Sequence, residues 1–276
     1  MINEITEKLS ALLPEARAKK PLVHQITNYV TVNDCANITL AAGASPVMAD
    51  DMEEAAEIAA VASAVVLNIG TLNARTVRSM LAAGRSANEH GGPVILDPVG
   101  AGASGLRNRT AAELLREVKF AAVRGNRSEI RTLAGLSAAT RGVDAAESDS
   151  ARDDRETADL VRQLSIRLGC TVAATGPVDT VSDGNRTLLI RNGHPMLSSV
   201  TGTGCMCSAL IGCFCGASHD FLLAAAAGIA VMGIAGELAY EQAGSMGSGS
   251  FRIALIDAVS RMNTETFAGR LHIASL

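Results

Sequence analysis

Tryptophan is absent from this chain, and two tyrosines and five phenylalanines hold the aromatics to 3% of its 276 residues. Proteins that grip single-stranded nucleic acid stack bases on aromatic rings, so that class is excluded. No G-x₄-G-K-[ST] run occurs, which excludes a P-loop. Charge of one sign is also missing. The 24 Lys and Arg are scattered among 28 Asp and Glu, for a formal charge of −4. No basic stripe marks a nucleic-acid or membrane partner. The start, MINEITEKLS, carries early acids and no apolar core, so no signal peptide is expected. The longest strongly apolar run, FLLAAAAGIAVMGIAG, is short and Ala/Gly-rich for a membrane span and predicts a buried helix.

What is present is a core. Hydrophobic residues make up 48% of the chain, enough for one large domain over 1–276. Short apolar runs (LVHQI, AVVLNI, PVILD, AAVRG, CTVAATG) alternate with Ala/Leu-rich helical segments such as MEEAAEIAAVA and RETADLVRQLSIRLG. That alternation predicts βαβ units and a mostly parallel, buried sheet. A hairpin is expected at DTVSD, Gly184–Asn185 and RTLLIRNG. Helices follow, through CMCSALIGCFC, an Ala-rich stretch from about Asp220, and FRIALIDAVSRMN. The charged segment 137–157 and AGSMGSGS read as surface loops.

Four of the six cysteines fall between Cys205 and Cys215. On a helix turning about 100° per residue, Cys205, Cys207, Cys213 and Cys215 point to about 0°, 200°, 80° and 280°. They fan out and cannot converge on one ion, and C-x-C misses the usual spacing of structural zinc. Cys207, Cys213 and Cys215 are expected to pack as small hydrophobes. Cysteines outside any compact disulfide framework fit reduced thiols and a cytoplasmic protein.

In open parallel sheets, ligands bind beyond the carboxyl ends of the strands. Here five such ends are polar or glycine-containing: HQITN, LNIG, LDPVG, RGN and ATG. Asp97 ends one strand, either as a loop acid or as a holder of Mg²⁺. Glu129 lies in N-R-S-E, where Asn126 and Glu129 make a capping-box pattern and metal chemistry is the alternative. Gly100, Gly102 and Gly105 stand in G-x-G-x-x-G spacing, with Arg124 available to a 2′-phosphate, which keeps an NAD(P)-binding oxidoreductase in view. Against it, two strands precede this one, and Asp97 and Pro98 intervene. TGTGC at 201–205 offers a second anion cradle. Gly202 and Gly204 admit close approach, and the helix beyond aims its amides and positive end at the same point. Cys205 sits in that field, which is expected to lower its pKa. A glycine turn with a packed cysteine is the plainer alternative.

A Gly-rich turn followed by a catalytic position at a helix start, late in an α/β chain, resembles the ribokinase-like kinases, most of which carry Asp where this chain has Cys205. With LVHQITNYVTVNDCAN, GASPVMADD, LDPVGAGAS and RGNRSEI, residues 20–245 resemble the hydroxyethylthiazole kinase family of thiamine salvage. The resemblance implies a three-layer α/β/α sandwich and phosphorylation of the hydroxyl of 4-methyl-5-(2-hydroxyethyl)thiazole with ATP and Mg²⁺. It places Cys205 at the catalytic-base position and the amides of Thr203 and Gly204 in an anion hole. It also implies that Met48, Gly202 and Asn28 line the thiazole site, that Arg124 and Thr175 contact ATP phosphates, and that Asp97 and Glu129 lie near Mg²⁺. A homotrimer with its site between subunits is implied too. A hydroxymethylpyrimidine kinase of the same fold is the neighbouring alternative, against which Met48 and Cys205 speak.

Overall fold

Parallel strands covered on both faces are apolar along their whole length, and two runs show this at its clearest. AVVLN forms β3 (Ala64–Asn68) and VILD forms β4 (Val94–Asp97), and every residue of both is buried. The computed structural model describes residues 2–136 and 147–276. Its first half runs α1 (Ile2–Lys19), β1 (Leu22–Ile26), α2 (Val32–Ala41), β2 (Ser45–Val47), α3 (Ala55–Val61), β3, α4 (Ala74–Glu89), β4 and α5 (Gly105–Glu117). Then come β5 (Ala122–Asn126), α6 (Arg127–Leu133), α7 (Glu147–Leu168), β6 (Thr171–Thr175), β7 (Asp179–Ser182) and β8 (Thr187–Ile190). The chain closes with α8 (Thr203–Ala217), α9 (Phe221–Ala243), α10 (Ser248–Arg261), α11 (Thr264–Arg270) and β9 (Ile273–Ser275).

All nine strands among the described residues join one sheet in the order β2-β1-β3-β4-β5-β6-β7-β8-β9. The six strands from β2 to β6 are parallel; β7, β8 and β9 add antiparallel pairs at one side. The expected hairpin is β7–β8, with Ser182 opposite Thr187. β2 and β9, three residues each, are too short for periodicity to reveal.

Helices cover both faces, as expected of a three-layer sandwich. Val66 of β3 points into a core built with α1, α2, α8, α9 and α10, whereas Val65 and Leu67 point into one built with α3, α4, α5 and α7. Each fully buried Val, Leu or Ile contributes about 1.5–3 kcal/mol. By length and composition Phe221–Met246 would pass as a membrane span, but 83% of its apolar window is buried inside the protein.

Two loop expectations need correction. Residues 137–146 lie outside the described residues, but from Glu147 onward the stretch read as loop is the start of α7. It contains neither Pro nor Gly and runs straight into the periodic RETADLVRQLSIRL, so the helix propagates back into it. AGSMGSGS is a short 3₁₀ turn at Gly244–Met246, with α10 beginning at Ser248.

The chain path sets where ligands can enter. β1 pairs with β2 on one side and β3 on the other. From β1 the chain crosses through α2 on one face, and from β2 it returns through α3 on the opposite face. The loops leaving β1 and β3 therefore diverge, opening the crevice that such a switch in strand order creates.

Candidate active site

α8 begins at that crevice because of its glycines. Gly202 takes φ 89°, the left-handed region, and a β-carbon there would stand 2.7 Å from Cγ2 of Thr31. A β-carbon on Gly204 would stand 2.8 Å from Nη1 of Arg124. No side chain caps this end, so the first-turn amides and the positive end of the helix dipole are open to an anion. Thr203 turns its hydroxyl back to the carbonyl of Leu197 at 2.9 Å.

On one side of this helix start lies a cavity of about 580 Å³, lined by Arg124, Thr175, Asp179, Thr203, Gly204 and Cys207 among others. Arg124, from β5, donates to Oγ1 of Thr175 at the end of β6 over 2.6 Å. Its Nη1 lies 4.0 Å from Oδ1 of Asp97.

Asp97, at the carboxyl end of β4, is wholly buried. Its Oδ2 accepts from Nδ2 of Asn68 and from Oγ of Ser208, each at 2.8 Å, whereas Oδ1 has no hydrogen-bond partner. Burial pushes its carboxyl up to about 6, with the charge of Glu129 adding to the rise and Arg124, Ser208 and Asn68 opposing it. Glu129 completes the capping box with Asn126. Its Oε2 accepts from the Asn126 amide and its Oε1 from that of Gly100, both at 2.7 Å. The cap and a place beside Asp97 thus coexist.

The same bonds weaken the dinucleotide alternative. The amide of Gly100 is taken by Glu129, and that of Gly102 by Oδ1 of Asn108 at 2.7 Å. Both are used internally rather than offered to a pyrophosphate.

On the other side of the helix start sits Cys205. Nδ2 of Asn28, just beyond β1, and Nδ2 of Asn68, at the end of β3, each donate to its Sγ over 3.3 Å. The expected lowering of its pKa is not found. Burial raises it and the charge of Asp97 adds to the rise, outweighing hydrogen bonds from Thr31, Asn28 and Asn68. A helix end and a few dipoles do not repay the desolvation of a thiolate. Cys207, Cys213 and Cys215 are buried, as packing requires, and burial pushes Cys207 and Cys213 up to about 12.

Met48 stands one residue past β2 at the same sheet edge, half-buried against the core layer that also carries Cys205. Its segment is pinned by His24 of β1, whose Nε2 lies 2.7 Å from the carbonyl oxygen of Ala49. Burial lowers the pKa of that imidazole.

Three residues the motifs did not single out belong to this constellation. Asn68 links Cys205 to Asp97, and its signal was a polar residue closing an apolar strand. Ser208 follows Cys205 by three positions, on the same helix face. Asp179 opens β7 and lines the cavity, and burial pushes it up to about 7 against the Gly176 amide and Arg124. Nothing local marked Asp179.

Relatives match this chain along nearly its whole length. Residues 13–265 match the model of the hydroxyethylthiazole kinase family. A hydroxyethylthiazole kinase of Ruminiclostridium cellulolyticum is 55% identical over 272 residues, 99% of each chain. The solved hydroxyethylthiazole kinase of Pyrococcus horikoshii OT3 superposes with a TM-score of 0.89 at 40% identity, covering 98% of this chain and 99% of that one. A ribokinase-like superfamily protein from Enterococcus faecalis V583, at 12% identity, shares the fold alone, with a TM-score of 0.62 over 90% of this chain and 89% of that one. The chain therefore belongs to the hydroxyethylthiazole kinase family and has a ribokinase-like fold.

Proposed function

We propose that the protein transfers the γ-phosphoryl group of ATP to the hydroxyl of 4-methyl-5-(2-hydroxyethyl)thiazole, in thiamine biosynthesis or salvage. The observation that carries this reading is the uncapped start of α8. It separates the cavity of Arg124 and Thr175 from the sulfur of Cys205. A nucleotide in the cavity would direct its phosphates at the helix start, with the acceptor hydroxyl on the Cys205 side beside Asn28, Gly202 and Met48. The hydroxyl oxygen bonds to the γ-phosphorus as the bond from phosphorus to the β-bridging oxygen breaks, releasing ADP.

Such transfer depends on positioning and charge stabilisation more than on a strong base. Arg124, braced by Thr175, neutralises the phosphates. The amides of Thr203 and Gly204 take up negative charge on the equatorial oxygens. Cys205, a neutral thiol in the free protein, has no room for a further proton; it holds and orients the acceptor hydroxyl, whose proton passes to an oxygen of the transferred phosphoryl group as the new bond forms.

Asp97 and Glu129 fit Mg²⁺. Oδ1 of Asp97 is a buried carboxylate oxygen without a partner, and both oxygens of Glu129 keep a free lone pair after each accepts one amide. Among the described residues no group of three or more His, Cys, Asp or Glu could hold an ion. Mg²⁺ takes one or two carboxylates and completes its shell with phosphate and water. When bound, it would supply positive charge at the phosphate oxygens.

The site is completed in a homotrimer. Tyr29 and Val30, the residues directly after Asn28, are 79% and 56% exposed, an apolar lip that a second subunit would cover. A single domain carries the activity, a reading supported by the one sheet that all nine strands of the described residues share. The cytoplasm suits its free cysteines.

The test is ATP consumption with the thiazole, with hydroxymethylpyrimidine, and with no acceptor. ADP together with a phosphorylated thiazole, identified by mass, is the expected result. Turnover of the pyrimidine alone would move the substrate assignment to the neighbouring kinase, and no turnover of either would overturn the reading.

A further inference from the structure

We propose that Asn68 is a positioning residue for the reaction: its carboxamide divides its two N–H bonds between Sγ of Cys205 and Oδ2 of Asp97, and so sets the thiol against the acid on the phosphate side. The inference rests on the placement of Cys205 at the acceptor hydroxyl proposed above.

The amide has no freedom to do otherwise. Asn68 is 2% exposed. Its Oδ1 accepts from the Gly70 amide at 2.9 Å and from Nδ2 of Asn28 at 3.1 Å. With the oxygen fixed, Nδ2 can only face Asp97 at 2.8 Å and Cys205 at 3.3 Å. All four hydrogen-bonding valences of the carboxamide are then used.

Asn28 is held in the same way. Its Oδ1 accepts from both the amide and the hydroxyl of Thr31 at 3.1 Å, which sends Nδ2 to Asn68 and to Cys205. Sγ thus receives two carboxamide donors, Asn28 from just beyond β1 and Asn68 from the end of β3. Its lone pairs engage those amides, and its own hydrogen must point away from both. Asn68 also transmits place: Asp97, anchored by Ser208 from the same helix that carries Cys205, cannot shift without moving the amide. A buried, fully satisfied network of this kind specifies one arrangement.

The experiment compares the full-length protein with Asn68→Ala, Cys205→Ala and the double variant. It measures kcat and both KM values, with thiazole binding by calorimetry and melting temperature as controls. Asn68→Ala is expected to lower kcat by about 10–10²-fold, the scale of a small misplacement, with both KM values and thiazole affinity within about twofold of wild type. Added to Cys205→Ala, the same substitution should change kcat by less than about threefold, since residues acting through one another are not additive. Should Asn68→Ala fail to fold, Asn68→Ser, which keeps a single donor, takes its place in both backgrounds, with kcat expected to fall by about 3–10-fold alone and by less than about threefold when added to Cys205→Ala.

Equal losses in both backgrounds would overturn the proposal and leave the Cys205 placement standing. So would an unchanged kcat, or a loss confined to KM. Full activity of Cys205→Ala would instead remove that placement, and this proposal with it.

Discussion

A β-carbon on Gly204 would stand 2.8 Å from Nη1 of Arg124, so α8 and β5 meet there with only a hydrogen atom between them. The contact places a guanidinium against the open amides of a helix start, two positive groups facing one cavity. An anion entering the cavity would meet both, and the consequences can be measured.

Arg124→Ala should raise the KM for ATP by about 10–10²-fold, the loss expected of one or two charge-assisted hydrogen bonds, and leave the KM for the thiazole within a few-fold. Steady-state kinetics with each substrate varied in turn checks this. A larger effect on the thiazole would put the nucleotide on the wrong side of α8.

Gly202→Ala should destabilise the fold by at least roughly 1–2 kcal/mol, because the left-handed backbone disfavours a side chain and the new methyl meets Thr31. Urea unfolding followed by circular dichroism measures it. An unchanged midpoint and slope would mean that the turn relaxes without cost.

Cys205→Ser should keep measurable activity, with a fall in kcat no greater than about 10²-fold, the scale of a small misplacement of the acceptor. Cys205→Asp should keep more. Complete loss in both, with folding intact, would assign the thiolate an obligatory or covalent role.

Asp179 gives the free protein a pH-dependent stability. Its folded pKa of about 7 stands above its ordinary 3.8, so the folded state holds the proton more tightly. The associated stabilisation is complete below about pH 4 and is lost as pH rises through 7, on the order of a few kcal/mol. Melting temperature should therefore fall more between pH 5 and 8 in wild type than in Asp179→Asn. Parallel profiles would show that the carboxylate ionises without penalty.

ATP should raise the melting temperature, and NADPH should not, because the amides of Gly100 and Gly102 are already bonded to Glu129 and Asn108. Thermal-shift assays with each nucleotide decide between them. In the same samples, light scattering should give three times the 28.4 kDa chain mass; a monomer would remove the shared site.

By itself the sequence determined the alternation of strand and helix, the polar closing residues HQITN, LNIG and LDPVG, and the glycines that open α8 at Cys205. These are local matters: periodicity states which faces are buried, and glycine states where the backbone must bend or be approached. The Asn126–Glu129 cap was legible for the same reason, since its partners are three positions apart. The tertiary structure decided the rest. Asn68 and Asn28 reach one sulfur only because the chain reverses its order between β1 and β3. Asp179 opens a hairpin that the Gly184–Asn185 turn announces, but nothing local says that its first residue lines the cavity. The direction of the Cys205 shift inverted what its helix position implied, because desolvation and the charge of Asp97 are summed over neighbours more than a hundred residues away, and no local spacing carries that sum.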